Sequence, residues 1–439
     1  MPRLIDPSLI DALAAELTGR ADELQIASVS ADLDPIDLVR SGSATSSWAG
    51  YFASPAGVEI AGLGVAWRTT ASGPNRLLDL DRAIRARNAD VPLVLGFSFS
   101  PHGPQQAEWN GFAPASAVLP LVSLSRRDGE GRLTVAVPPG RAPRDILERL
   151  LGLVEPRPLR VFEAADHVVE SRPAPDAWRD AVSEAIGAIR AGALEKAVLA
   201  RSVSVRTDVP ALPFDLVAQL RAGYPYSFTF GWQEGDSAFI GASPELLVSR
   251  AGADISTNPL AGSAARGKDD LEDTQLGYAL AVSRKDHREH VLVVEDIRAR
   301  LEPLTDELEV PAEPVLRKFP TVQHLSTEIT GRLSEPRSVI ELADVLHPTP
   351  AVGGTPRDDS LLFLDKVEEI DRGWYAGGIG WCDPSGDGEV AVALRCGLLR
   401  GSTAYLYAGA GIVADSDPDE ELFETRLKFR PMLDLLSAT

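Results

Sequence analysis

Residues 226–250, YSFTFGWQEGDSAFIGASPELLVSR, read as three strands in direct succession, Tyr226–Trp232, Ser237–Gly241 and Glu245–Arg250. Aromatic and β-branched residues fill the runs, and Gly, Asp and Pro mark the breaks between them. Outward from this block, strands and helices keep to separate groups. Upstream, a helix is expected at Ala177–Ala191, a strand at Ala197–Val205 and a helix at Pro213–Arg221. Further back, Gly57–Trp67, Pro92–Phe99, Ala117–Leu124 and Arg132–Val137 are short apolar or alternating runs cut by Gly, Pro and Ser, the pattern of an antiparallel sheet. Downstream, one long helix is expected at Leu271–Arg300, then strands at Thr327–Gly331, Tyr375–Trp381, Glu389–Leu399 and Thr403–Gly409. A last helix starts near Pro418, with Asp417 as N-cap, Pro418 at the first helical position and Glu420 three residues after the cap. Pro431 should kink or end it. Blocks of this kind favour an α+β fold over a doubly wound α/β sheet. The stretch Glu155–Asp176, rich in Pro, Arg and Glu, reads as a junction between an N-terminal α/β region, 1–175, and a second region, 176–436. Both are expected in one integrated fold.

Of the 439 residues, 44% are hydrophobic and 24% charged, a make-up that supports a folded core. A formal charge of -21 argues against nucleic acid or an anionic membrane surface as partner, and makes binding of a small anion depend on local cations. Two cysteines, Cys382 and Cys396, form neither a disulfide framework nor a thiolate metal set, so a reducing compartment is expected. The first residues read as an amphipathic helix bearing acids rather than a signal peptide, and no run approaches the length of a membrane span.

The chemistry concentrates in two acidic pairs, Asp286/Glu289 and Glu421/Glu424. Spacing of i, i+3 puts both carboxylates of a pair on one helix face. The first pair lies on the stripe Leu276, Leu280, Val293, Ile297, Leu301, together with His290, where burial is costly without a cation or strong donors. Flanking Arg284, Lys285, His287 and Arg288 offer ordinary partners instead. Acids in a first helical turn suit the macrodipole, which accounts for Glu420 and Glu421 but not for Glu424. Together the four carboxylates could cage one hard divalent ion. Lys196 opens a strand beside Val198 and Ala200. It either reaches solvent along its stem or, desolvated, gives up its proton near neutral pH and serves as a base. Glu245 follows Gly and Pro in GASPE and is either an exposed turn residue or a buried, protonated acid. Arg395, read as part of an apolar strand, needs a carboxylate or phosphate partner. His347 and His324 could each bind a ligand or cap a turn. PLAGS (259–263) and YAGAG (407–411) suit close backbone approach to a ligand, but match no phosphate-loop or dinucleotide pattern.

Ten strings then occur in a familiar order: KAVLAR (196–201), GASPELL (241–247), PLAGSAARG (259–267), KDHREH (285–290), QHLST (323–327), HPTPAVGGTP (347–356), RGWYAGGIGW (372–381), ALRC (393–396), YAGAGIV (407–413) and ELFETRLK (421–428). In these the chain resembles the chorismate-utilising enzymes, a family that includes isochorismate, salicylate, anthranilate and aminodeoxychorismate synthases. The match runs from about Asp176 to Leu436, which makes 176–436 the chorismate-binding region. The resemblance implies the anthranilate synthase component I fold, in which large antiparallel sheets form a sandwich-like core with helices outside. It implies Mg²⁺ ligation by Glu289 and Glu424, with Asp286 and Glu421 acting through water. Arg395 and Tyr375 are similar to the clamp on the pyruvyl carboxylate, and Lys428 to a further carboxylate contact. Gly262, Ser263, Gly409, Gly411, His347 and Ala351 complete the implied substrate-binding set. Lys196 stands where amine-transferring members usually have Gln, and Ala261 where one type has a nucleophilic lysine; both point to water as nucleophile. The chain thus most resembles isochorismate synthases, with Lys196 as base and Glu245 as acid. A salicylate synthase, which goes on to eliminate pyruvate, is the alternative; from another class, a metal-stabilised binding protein needs only the acidic pairs. The resemblance also implies a cytoplasmic monomer whose small-molecule substrate is chorismate and whose product feeds menaquinone or siderophore synthesis.

Overall fold

The computed structural model describes residues 2–87, 91–159, 168–206 and 210–436. Residues 160–167 of the expected junction lie outside these. Among the described residues the strands form antiparallel sheets of twelve, nine and three strands. The largest runs in the order Gln25–Ser30, Glu130–Val137, Val122–Arg127, Glu59–Leu63, Trp48–Ala53, Phe228–Glu234, Ser237–Ser243, Cys396–Arg400, Thr403–Ile412, Lys196–Arg206 and Gly354–Thr355, with Val168–Arg172 also paired to Lys196–Arg206. The second runs Thr305–Glu309, Ile329–Leu333, Asp254–Asn258, Leu246–Ala251, Gly388–Val392, Gly378–Cys382, Leu93–Phe97, Ala115–Leu119, Trp67–Ala71. The third is Leu260–Ala265, Val322–Ser326, Val315–Lys318.

Strands from both ends of the chain therefore share each large sheet. Trp48–Ala53 pairs with Phe228–Glu234, and Leu93–Phe97 with Gly378–Cys382. Phe230, Trp232 and Phe239 of one sheet meet Leu95, Phe97 and Val390 of the other in a single core. Trp374 is seated there, its ring centroid 5.0 Å from that of Trp232. Burial of large aromatic surface on both facing layers is the main force holding the sheets together. Helices cover the outside. Pro35–Gly42, Pro213–Gly223 and Pro418–Leu436 pack on the largest sheet, while Arg76–Arg85 and Val339–Leu346 pack on the second.

Several expected elements divide, Ala117–Leu124 among them into Ala115–Leu119 and Val122–Arg127 of different sheets, and the choice left open at Pro431 is decided. The stretch read as one helix from Leu271 to Arg300 is two, Asp270–Val282 and Arg284–Leu301. Ser283 between them is extended (φ -70, ψ 117), and its hydroxyl accepts from the N–H of Asp286. The apolar stripe runs across this break, so periodicity alone does not reveal it. The first helix buries Leu280 of that stripe, and the second buries His290, Val293, Val294, Ile297 and Leu301. The run Glu389–Leu399 is likewise two strands in different sheets, and Arg395 sits in the turn between them with φ 49. The last helix continues through Pro431 to Leu436. As expected, it is capped by Asp417, whose Oδ1 accepts from Asp419 and Glu420. Among the described residues, no helix is long and apolar enough to cross a membrane.

The Ser283 cap orients the helix that carries Asp286 and Glu289. Ser283→Ala should lower unfolding stability by about 1 kcal/mol and Ser283→Gly by only a few tenths, read from denaturant midpoints. Equal losses would show that the cap does not hold the break.

Candidate active site

The chain crosses between the two large sheets at Pro244–Glu245 and again at Ala393–Arg395, and the crossings are bonded to each other. Val392 N–H donates to Glu245 O at 3.1 Å, and Ala242 N–H donates to Arg395 O at 3.2 Å. Where main-chain pairing stops, a cavity of about 50 Å³ opens. Glu245, Gly262, Ser263, Glu289, Ala351, Tyr375, Arg395, Gly409, Gly411, Glu424 and Lys428 line it, as do Ala261 and His324. Most of the expected site thus converges on one place, drawn from segments far apart in the chain.

Lys196 does not snorkel to solvent. Its side chain is fully buried, and its Nζ lies 3.0 Å from Glu289 Oε1. Among the described residues no partner meets that ammonium in hydrogen-bonding geometry, and the ion pair with Glu289 compensates its burial. The strand carrying Lys196 pairs with Thr403–Ile412, which places Gly411 opposite Val198. A Cβ at 411 would collide with the Glu289 carboxylate and come within 3.0 Å of Lys196 Cε, so this glycine makes room for the pair. Gly262, at φ 74, similarly lets the three-stranded sheet approach Asp286.

Two more lysines match the remaining glutamates. Lys285 Nζ donates to Glu421 Oε1 at 2.8 Å, and Lys428 Nζ lies 2.5 Å from Glu424 Oε1 while donating to Gly409 O at 2.9 Å. Burial opposes the charged form of Glu424, but Lys428 and Lys285 outweigh it and hold the carboxyl below its ordinary value. Burial and the neighbouring Glu424 push Glu421 up to about 7 against the pull of Lys285. Burial also raises Asp286, reinforced by the charges of Glu289 and Glu424. Four carboxylates in one another's field, supplying only hard oxygens, suit a hard divalent cation. As the side chains stand, the lysines hold them apart, and among the described residues no three acidic, imidazole or thiol groups close into a ligand cluster. Asp286 and Glu421 stand behind the wall rather than in it. Glu421 is 1% exposed, so it is no ordinary first-turn acid.

Glu245 is 3% exposed and is not a surface turn residue. Burial pushes its carboxyl up to about 8, although Lys196, Arg395 and Lys428 pull the other way. It is therefore protonated at neutral pH and able to donate. Arg395, 9% exposed, finds its partner in a ring nitrogen instead of a carboxylate: its Nη2 donates to His324 Nε2 at 3.1 Å. That bond requires His324 Nδ1 to carry the hydrogen, which faces Gly262 O and Ser263 Oγ, each at 3.1 Å. Burial, then Arg395 and Lys428, drives His324 well below the usual histidine range, so the ring stays neutral. Tyr375 stacks on Tyr407 with centroids 5.5 Å apart, and burial raises its hydroxyl.

His347 is not in the wall. It packs edge-on against Phe97 and Phe99, and its Nε2 meets Phe99 O at 3.3 Å. Its place just after the helix Val339–Leu346 makes it the C-cap residue, the turn-capping alternative of the two that its sequence left open. Sequence reasoning left His324 undecided and took Lys285 for a flanking charge. Lys285 had no sequence signal, because its place in a first helical turn follows from the break at Ser283.

The sequence model of a family described as chorismate binding enzyme matches residues 12–437. The salicylate biosynthesis isochorismate synthase of Pseudomonas aeruginosa is 39% identical over 353 residues, 78% of this chain and 74% of that protein. The solved structure of MenF, the menaquinone-specific isochorismate synthase of Escherichia coli, matches with a TM-score of 0.85 at 27% identity, over 98% of this chain and 99% of that one. Anthranilate synthase component I of Streptococcus pneumoniae shares the fold, with a TM-score of 0.71 at 23% identity over 87% of this chain and 93% of that one. With two large antiparallel sheets around one core and a cavity at their seam, the chain belongs to the chorismate-binding enzyme family.

Proposed function

We propose that the chain is an Mg²⁺-dependent isochorismate synthase, which adds water at C2 of chorismate with loss of the C4 hydroxyl in a reversible isomerisation. One observation carries the reading: Lys196 and Glu245 are both buried beside a cavity that also holds Arg395, Lys428 and two glutamates. The named relatives support it, as does Ala261 in the cavity wall, where an amine-using site of one type would carry lysine.

Lys196, once free of its proton, takes one from the attacking water. Glu245, protonated below about pH 8, gives its proton to the departing C4 oxygen while the ring double bonds shift between the two ends. Lys196 gains one proton and Glu245 loses one, the C4 oxygen leaves as water, and the substrate remains a dianion throughout. Arg395 and Tyr375 clamp the pyruvyl carboxylate, and Lys428 offers a further carboxylate contact, fixing a mobile dianion in reactive geometry. A Mg²⁺ ion held by Glu289 and Glu424, with Asp286 and Glu421 behind it through water, would supply the charge that anchors the ring carboxylate. The reading includes action as a cytoplasmic monomer, and a product destined for menaquinone or siderophore synthesis.

Purified protein given chorismate and Mg²⁺ should form isochorismate, and EDTA should stop it. Fluorescent salicylate as the sole product would replace this reading with a salicylate synthase, and no turnover would leave the metal-stabilised binding protein. Lys196→Ala should lower kcat by about a thousandfold with the fold retained by circular dichroism. Most of the activity surviving would remove Lys196 as base.

Because the acid is a carboxyl raised by burial, its protonated form is present at low pH and lost as pH climbs through about 8, so kcat/KM should fall there. Glu245→Gln should abolish that limb along with most of the rate; a residual rate that still falls near pH 8 would assign the limb elsewhere. Glu424→Gln should weaken the Mg²⁺-dependent rise in unfolding temperature by at least about tenfold in concentration. An unchanged titration would take Glu424 out of the ligand set.

A further inference from the structure

The outer edge of the strand Lys196–Arg206 is covered in pieces. Gly354–Thr355 pairs with Lys196 and Ala197, and Val198 N–H donates to Gly353 O at 3.0 Å. Val168–Arg172 pairs with the far end, from Ser202 onward. Between the two, an ion pair takes the place of a strand. Arg372 Nη2 donates to Val198 O at 2.6 Å, and Glu368 Oε1 accepts from Ala200 N–H at 2.8 Å. The other terminal nitrogen of the same guanidinium, Nη1, reaches Val352 O at 2.8 Å. Two bonds of 2.8 and 2.5 Å lock it to Glu368, and the Phe99 ring lies 4.1 Å from it. The pair is deeply buried, at 4% and 8% side-chain exposure.

We propose that the Glu368–Arg372 pair positions the base: it sets the spacing between the strand that carries Lys196 and the Ala351–Val352 wall of the cavity. Val198 and Val352 both line that cavity, and one guanidinium holds the carbonyl of each. A planar fork fixes both carbonyls in direction as well as distance, which a lysine could not do. Apolar side chains at this depth would leave Val198 O, Val352 O and Ala200 N–H unpaired, so the charges stand in for the missing ladder and fix its geometry. The chain must leave the sheet before Gly354 to form the wall, so the ladder beside Lys196 ends at Ala197 and resumes only at Ser202. The proposal rests on Lys196 being the base of the proposed reaction.

The test uses Arg372→Lys, Glu368→Gln and the apolar double variant Glu368→Met/Arg372→Met in the full chain. Each should lose at least about tenfold in kcat while KM for chorismate stays within about threefold. The double variant should also unfold at a lower temperature, because Val198 O, Ala200 N–H and Val352 O lose their partners. Amide exchange at Ala200, followed by mass spectrometry without substrate, should quicken in the double variant. A folded double variant with wild-type kcat overturns the proposal, as does unchanged exchange at Ala200. If the double variant fails to fold, the single variants decide, and a kcat loss that merely tracks their unfolded fraction also overturns it. Absence of wild-type turnover of chorismate would sink the functional reading instead, while the exchange measurement would still show whether the pair holds the strand.

Discussion

At the seam of the two large sheets, main-chain pairing has to stop, because a chain that changes sheets cannot serve both ladders. The crossings at Pro244–Glu245 and Ala393–Arg395 resolve this by bonding to one another, through Val392 N–H to Glu245 O and Ala242 N–H to Arg395 O. Ser243 adds its hydroxyl to the Val392 carbonyl at 2.5 Å. The seam is thus rigid and also open, and it presents an acid and a guanidinium from adjacent turns. The left-handed backbone at Arg395 is part of the arrangement, since a non-glycine residue persists at φ 49 only when its surroundings hold it there. The rest of the site is brought to this seam by the three-stranded sheet and by two helices whose first two turns bear the acidic pairs.

Charge in the cavity is balanced locally. The chain carries -21 overall, yet Lys196, Lys285 and Lys428 meet Glu289, Glu421 and Glu424 one to one. Burying so many ions is tolerable only because each has a counter-ion at contact distance. The pairing leaves Arg395 without a carboxylate partner, and its bond to a neutral His324 keeps its charge available for an incoming anion. A site built this way can accept a dianion without help from the long-range field, which is repulsive.

Much of this was legible in the chain. Strand blocks such as 226–250 declare themselves because each run is apolar enough to be buried and is bounded by Gly, Asp or Pro. The spaced motifs brought nearly the whole cavity lining onto the page. What stayed hidden has physical reasons. The break at Ser283 lies inside a continuous stripe, and a capping serine leaves the apolar period intact. The crossing at Arg395 has apolar residues on both sides, and neither glycine nor proline marks it. His347 carries the same letters whether it faces a ligand or seals a helix end. The Glu368–Arg372 pair resembles any i, i+4 surface pair until the missing strand beside it is seen. Partners in a sheet of distant strands have no local signature at all.

The sharing of sheets between the ends of the chain bears on how the molecule comes into being. Leu93–Phe97 has Ala115–Leu119 on one side from the start, but its other edge waits for Gly378–Cys382, and Trp48–Ala53 waits for Phe228–Glu234. A nascent polypeptide emerging from the ribosome therefore carries unsatisfied, strongly apolar strand edges until translation is almost finished. Such a chain depends on chaperones or on swift late closure, and premature termination leaves a sticky fragment rather than a smaller working unit.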